Sequence, residues 1–188
     1  MKNILLASFI VFFNFGYSQK VDTLLITPSN VNGYLVKEFE GKSTEDIYLA
    51  LKKWTQYNIH KADTAINSDI ENEYLSFSIN GVGDIRYKNK NNWLWKLNLY
   101  VEARIKGNRL RLDIIVNEID GVSSSELDDI PIVAQGGING MNALFKKDGS
   151  PKKATKTYRD DVNISLNEFA NYLFNSIDGN LDYKKEDW

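Results

Sequence analysis

The carboxylates are the first place to look for chemistry in this chain. Asp69-Ile70-Glu71-Asn72-Glu73 sets three of them at alternate positions, and Glu126, Asp128 and Asp129 form a second group. A glycoside hydrolase holds two carboxyl groups about 5–9.5 Å apart across a sugar, one as acid and one as base or nucleophile. Spacing along a chain does not set that separation, so these residues are candidates by type alone, and solvated loop charge is the plainer reading. The alternating triplet has the opening of a calcium loop but lacks the glycine and closing glutamate of an EF-hand.

The other reactive types are sparse. His60, in Tyr57-Asn58-Ile59-His60-Lys61, is the only histidine, and there is no cysteine. A lone imidazole cannot assemble a transition-metal site, and thiol nucleophiles, zinc thiolates and iron–sulfur clusters are excluded. No G-x-S-x-G elbow surrounds any serine. Gly81-Val82-Gly83 and Gly136-Gly137-Ile138-Asn139-Gly140 lack the Gly-Lys-Ser/Thr ending and the G-x-G-x-x-G spacing of phosphate loops. The expectation is a non-enzymatic protein without metal or cofactor.

The chain has 188 residues, 43% hydrophobic and 26% charged, with a formal net charge of −2. That is ordinary for one globular domain and gives no basic excess for nucleic acid. The N-terminus has a secretory layout: Lys2, an apolar run from Ile4 to Phe15, then Gly16-Tyr17-Ser18. A run of about 12 residues covers roughly 18 Å, too short for a bilayer core of about 30 Å. Cleavage after Ser18 is expected, giving a periplasmic or extracellular protein with no transmembrane helix after signal removal. Without cysteine it is not an acylated lipoprotein. The domain plan is then a signal peptide (1–18), a lead-in (19–32), one domain (33–178) with a long irregular insert at 121–160, and a polar tail (179–188).

The elements follow from periodicity. Residues 33–40 read as a first strand, while Leu24 to Ile26 could add an edge strand that Pro28 ends. Ser43, with Asp46 three residues on, predicts a capped helix start, and Ile47, Ala50, Leu51 and Trp54 form one apolar stripe. Two weaker strands flank Glu71-Asn72, the second ending at Gly81-Val82-Gly83 or continuing past a bulge to Ile85 and Tyr87. From Trp93 to Ile105 the odd positions are apolar, and from Leu110 to Val116 the even ones are. A turn at Gly107-Asn108 pairs Lys106 with Arg109 and Leu99 with Val116, placing every apolar residue on one face. A second helix is expected from Asp161 or Asn163 to a stop at Asp178-Gly179. The basic run Lys146 to Arg159 reads as a solvated, mobile segment or as a patch for an anionic ligand.

These elements make an α+β two-layer sandwich. An antiparallel sheet of about five strands carries two helices on one face, in the order β-α-β-β-β-β-α. Trp93 and Trp95 fall on the apolar parity, as core or, if the sheet ends before them, as an exposed platform. The opposite face carries Tyr100, Arg104, Arg111 and Asp113, the candidate partner-binding residues. There Arg104 faces Arg111 and Glu102 faces Asp113, and the diagonals Arg104–Asp113 and Glu102–Arg111 offset the repulsion.

Phe39-Glu40-Gly41-Lys42-Ser43, followed by Ile47-Tyr48, Leu51 and Trp54, resembles a family of secreted bacterial domains of unknown function with a fold like the TATA-binding protein. The tail Lys184-Lys185-Glu186-Asp187-Trp188 is similar to chains of that family. The resemblance covers roughly residues 33–120 and, more loosely, the C-terminal helix and tail, while the insert departs from it. It implies the same saddle-like fold. It carries over no catalytic residue, and it does not import DNA binding, because function lives in sites and not in folds. The expected role is an exported module that binds a protein or cell-envelope component through the polar sheet face. The alternatives are a carboxylate-dependent hydrolase of an envelope glycan and a small-ligand carrier.

Overall fold

The computed structural model describes residues 23–59, 61–87, 93–122 and 144–182. The signal segment, His60, the carboxylates Glu126, Asp128 and Asp129, and the residues from Tyr183 to Trp188 lie outside them, as do the side chains of Trp93 and Trp95.

The lead-in is a two-stranded hairpin, β1 (Ile26–Thr27) and β2 (Asn30–Val31), turning over Pro28-Ser29. It is a separate ribbon and not an edge strand of the main sheet. Leu24 and Ile26 are buried in the core, so the core reaches back before the first sheet strand. That strand, β3 (Leu35–Glu38), leads into α1 (Thr44–Asn58). Ser43 caps the helix as its type predicts. Its Oγ accepts from the Asp46 N–H at 3.1 Å, and its own N–H donates to Asp46 Oδ2 at 3.0 Å. A cap of this kind stabilises a helix by about 1 kcal/mol. The stripe Ile47, Ala50, Leu51 and Trp54 is buried, together with Tyr48 and Thr55.

A short turn, α2 (Ala62–Ala65), precedes β4 (Ile66–Ile70), and three long strands follow: β5 (Tyr74–Tyr87), β6 (Trp93–Lys106) and β7 (Arg109–Val122). The antiparallel order across the sheet is β3-β7-β6-β5-β4. The β6–β7 register is the one that side-chain parity dictates, from Lys106 opposite Arg109 to Leu99 opposite Val116. Gly107 supplies the left-handed turn with φ +62°. Gly81 and Gly83 do not end β5. They sit at positive φ where its register shifts, and the strand runs on to Tyr87.

The last helix, α3 (Lys156–Asp182), differs from expectation at both ends. It starts before Asp161 because Tyr158 and Val162 add a turn to the buried stripe of Leu166, Phe169, Ala170, Leu173 and Ile177. It runs through Asp178-Gly179 because tertiary contacts outweigh the roughly 1 kcal/mol helix penalty of glycine. Lys37 bonds Asp178 at 2.8 Å, Lys42 bonds the Leu181 carbonyl at 3.2 Å, and Leu181 packs on the core. The stretch before α3 is not simply solvated. Leu144 and Phe145 are buried, Phe145 bridges Pro151, and a 3-10 turn (Lys153–Thr155) feeds the helix.

The apolar face of the sheet, with Leu75, Phe77, Leu99, Val101 and Leu112 fully buried, packs under α1 and α3. Trp54 lies 5.9 Å from the Phe77 ring and 6.4 Å from that of Phe169, tying α1 to the sheet and to α3. The result is the expected five-stranded, two-layer α+β sandwich.

Candidate functional site

Strand pairing builds the open face. Paired residues point the same way, so with Leu99, Val101 and Ala103 inward, Tyr100, Glu102 and Arg104 point outward from β6. Arg111 and Asp113 join them from β7, and Val36, opposite Arg111, carries β3 onto the same face.

Arg104 and Arg111 stand directly opposite each other. Their repulsion is relieved by one carboxylate. Asp113 accepts from Arg111 Nε at 2.7 Å and Nη2 at 2.6 Å, and from Arg104 Nη1 at 2.8 Å. The Arg104–Asp113 diagonal is therefore formed. Glu102, however, turns to Arg104 on its own strand and takes Nη2, instead of crossing to Arg111. The Arg111 guanidinium lies 3.6 Å from the centre of the Tyr34 ring, and Arg104 sits over Tyr74 at 5.9 Å. Asp113 raises the Arg111 pKa further, against a smaller opposing effect of burial. Burial, joined by the Tyr100 hydroxyl and the Glu102 charge, raises that of the Tyr74 phenol.

All four sequence candidates thus fall on one face. Arg104, Arg111 and Asp113 form a cluster, and Tyr100 meets it through Tyr74. Tyr34 and Tyr74 were missed as members. Their alternation with Val36 and with Ser76 was the available signal. A surface groove of about 780 Å³ borders the cluster, lined by Ile70, Asn72, Tyr74, Arg104 and Lys106.

The carboxylate triplet divides. Asp69 and Glu71 border a second groove of about 720 Å³ beside α1, whereas Glu73 lines the first. Asp69 accepts from the Tyr48 hydroxyl at 2.6 Å and from Lys52 at 2.8 Å, and Lys52 also donates to Tyr48 at 3.0 Å. Burial pushes the Asp69 pKa up, but the bonds from Lys52 and Tyr48 prevail and hold it below the usual range. The Asp69 bond pushes Lys52 up, and burial followed by the same bond pushes Tyr48 up. Each group is driven deeper into its ordinary charge state. General acid–base chemistry needs the opposite, a pKa brought toward the working pH. The trio is suited to fastening α1 to β4. Among the described residues, no set of three or more His, Asp or Glu is placed to hold a metal ion.

No family model and no curated protein matches the chain. Two solved structures share its architecture. One is a TBP-like protein from Parabacteroides distasonis ATCC 8503, with a TM-score of 0.50 at 12% identity, covering 81% of this chain and 92% of that one. The fold is TBP-like. The other is a DUF4468 family protein from Bacteroides ovatus ATCC 8483, with a TM-score of 0.50 at 14% identity, covering 93% and 95% of the two chains. At such identities the likeness extends to fold alone. Among the described residues, no helix is long and apolar enough to cross a membrane.

Proposed function

We propose that this chain is an exported, non-enzymatic module that binds a protein or cell-envelope partner through the uncovered face of its sheet. One observation carries the reading. Arg104 and Arg111 are fixed side by side by Asp113, with Arg111 stacked on Tyr34, on a face that neither α1 nor α3 covers. Guanidiniums held flat by carboxylates and aromatic rings lose little freedom when a partner arrives, and Arg and Tyr are the types that dominate interface energetics. The signal-like N-terminus supports export. A hydrolase reading loses support at Asp69, which is already tied to Lys52 and Tyr48.

The test is affinity capture from envelope extract with the wild type, with R104E/R111E and with Y100A, each checked for an unchanged thermal midpoint. Loss of the same captured partner from both variants supports the sheet face. An unchanged set of partners removes it, and turnover of envelope glycan by the wild type would overturn the non-enzymatic reading.

A further inference from the structure

The segment from Lys146 to Asp161 carries six cations (Lys146, Lys147, Lys152, Lys153, Lys156 and Arg159) against three carboxylates. That is a net +3 in a chain totalling −2, which leaves −5 on the rest. The charge stands on a hydrogen-bonded turn and on the helix start that follows it. The Lys146 N–H bonds the Ser150 carbonyl at 2.8 Å and the Lys152 N–H bonds that of Leu144 at 2.9 Å. Arg159 reaches back to the Lys152 carbonyl at 3.4 Å, and its guanidinium lies 6.0 Å from the Phe145 ring centre. Buried Leu144 and Phe145 thus anchor a turn whose Lys146 and Lys147 are exposed, as are Lys153 and Lys156 at the start of α3. Of these four, only Lys156 makes an ion pair among the described residues, with Asp160.

We propose that this basic turn and helix start dock on an anionic phospholipid bilayer. Several exposed lysines on a turn and on the helix start that follows it suit a diffuse negative surface better than an enclosed anion. Juxtaposed lysines of this number are the pattern that acidic headgroups attract. The rest of the chain carries a net −5, which favours approach by this segment. This segment shares no residue with the Arg104–Arg111–Asp113 cluster.

The experiment is co-sedimentation of the purified protein, its N-terminus fixed by mass spectrometry, with two kinds of vesicle. Pure phosphatidylcholine vesicles control for any retained apolar segment between Ile4 and Phe15. The expected result is sedimentation with vesicles holding about 30% phosphatidylglycerol and not with neutral ones, reversed by roughly 0.5 M salt. K146E/K147E/K153E is expected to weaken it by about tenfold or more at an unchanged thermal midpoint. The milder K146Q/K147Q is expected to weaken it by a smaller factor. Equal sedimentation with neutral vesicles, none with anionic ones, or full retention by the triple variant overturns the proposal. Binding to soluble alginate but not to anionic vesicles also overturns it, in favour of an acidic glycan.

Discussion

The side-chain amide of Asn30 holds the backbone of Val116 at both its polar groups. Nδ2 donates to the Val116 carbonyl at 3.0 Å, and Oδ1 accepts the Val116 N–H at 2.9 Å. Beyond the reach of β3, one side chain thus does for the edge of β7 what a neighbouring strand would do. Asn30 sits at φ +107°, and its position directly after the Pro28-Ser29 turn aims the amide inward.

Replacing Asn30 by Ala is therefore expected to strand a buried donor and acceptor. The expected loss is about 2–3 kcal/mol, read as a lower chemical-denaturation midpoint with an unchanged slope. Val116 N–H exchange should accelerate in the variant. A loss under about 0.5 kcal/mol would show that water replaces the amide without penalty.

The Tyr48–Lys52–Asp69 trio sets a pH signature. Asp69 has a depressed folded pKa, so its contribution is present above the unfolded value of about 3.9 and is lost as pH falls through the lower folded value. Lys52 and Tyr48 are raised, so theirs is present below about 10 and is lost as pH rises through the folded values. Lys52 is 35% exposed and Asp69 29%, so solvent screening holds the effect to about 1 kcal/mol or less. Asp69→Asn should lower the thermal midpoint at neutral pH, and the difference from wild type should shrink as pH falls below the ordinary carboxylate range. A constant difference across the acid range would exclude this linkage.

Gly83 of β5 lies close against Ser165 of α3. A Cβ added there would fall 2.4 Å from the Ser165 Cβ, and the residue has φ +73°. Gly81 has φ +78° but open space around it. Gly83→Ala should cost about 2–4 kcal/mol, against about 1 kcal/mol for Gly81→Ala, in thermal or urea unfolding. Adding Ser165→Gly to Gly83→Ala should recover part of the difference, and a strictly additive double variant would refute the steric account.

Gly179 gives the opposite sign. It lies inside α3, a Cβ there meets nothing within 4 Å, and its φ is not left-handed. Gly179→Ala should stabilise the protein by about 0.5–1 kcal/mol, raising the unfolding midpoint and slowing amide exchange in the last turn. Destabilisation would mean that the helix end depends on glycine.

The β6–β7 hairpin was legible because period-2 alternation leaves one register that buries Leu99, Val101 and Ala103 with Ile114 and Leu112. Once that register stands, the Arg104–Asp113 diagonal follows. The capping of α1 was equally local, written in Ser43 and Asp46. The start of α3 misled for a definite reason. Asn163 has a capping residue's chemistry, but its amide oxygen accepts the Ile26 N–H at 2.7 Å from a segment 137 residues earlier. The partners of Asp69 were hidden in the same way. Tyr48 and Lys52 belong to α1, and nothing in their spacing reveals that β4 passes beneath them. The stacking of Tyr34 under Arg111 needed the β3–β7 pairing, a non-local choice that periodicity does not make.

The bonds from Asn163 and Asn167 to the backbone of Ile26 and Leu24 join stretches up to 143 positions apart. The lead-in at Leu24 and Ile26 therefore cannot lock until α3 has been made. A nascent polypeptide would keep this lead-in loose during synthesis and would close it only once the trailing helix had formed.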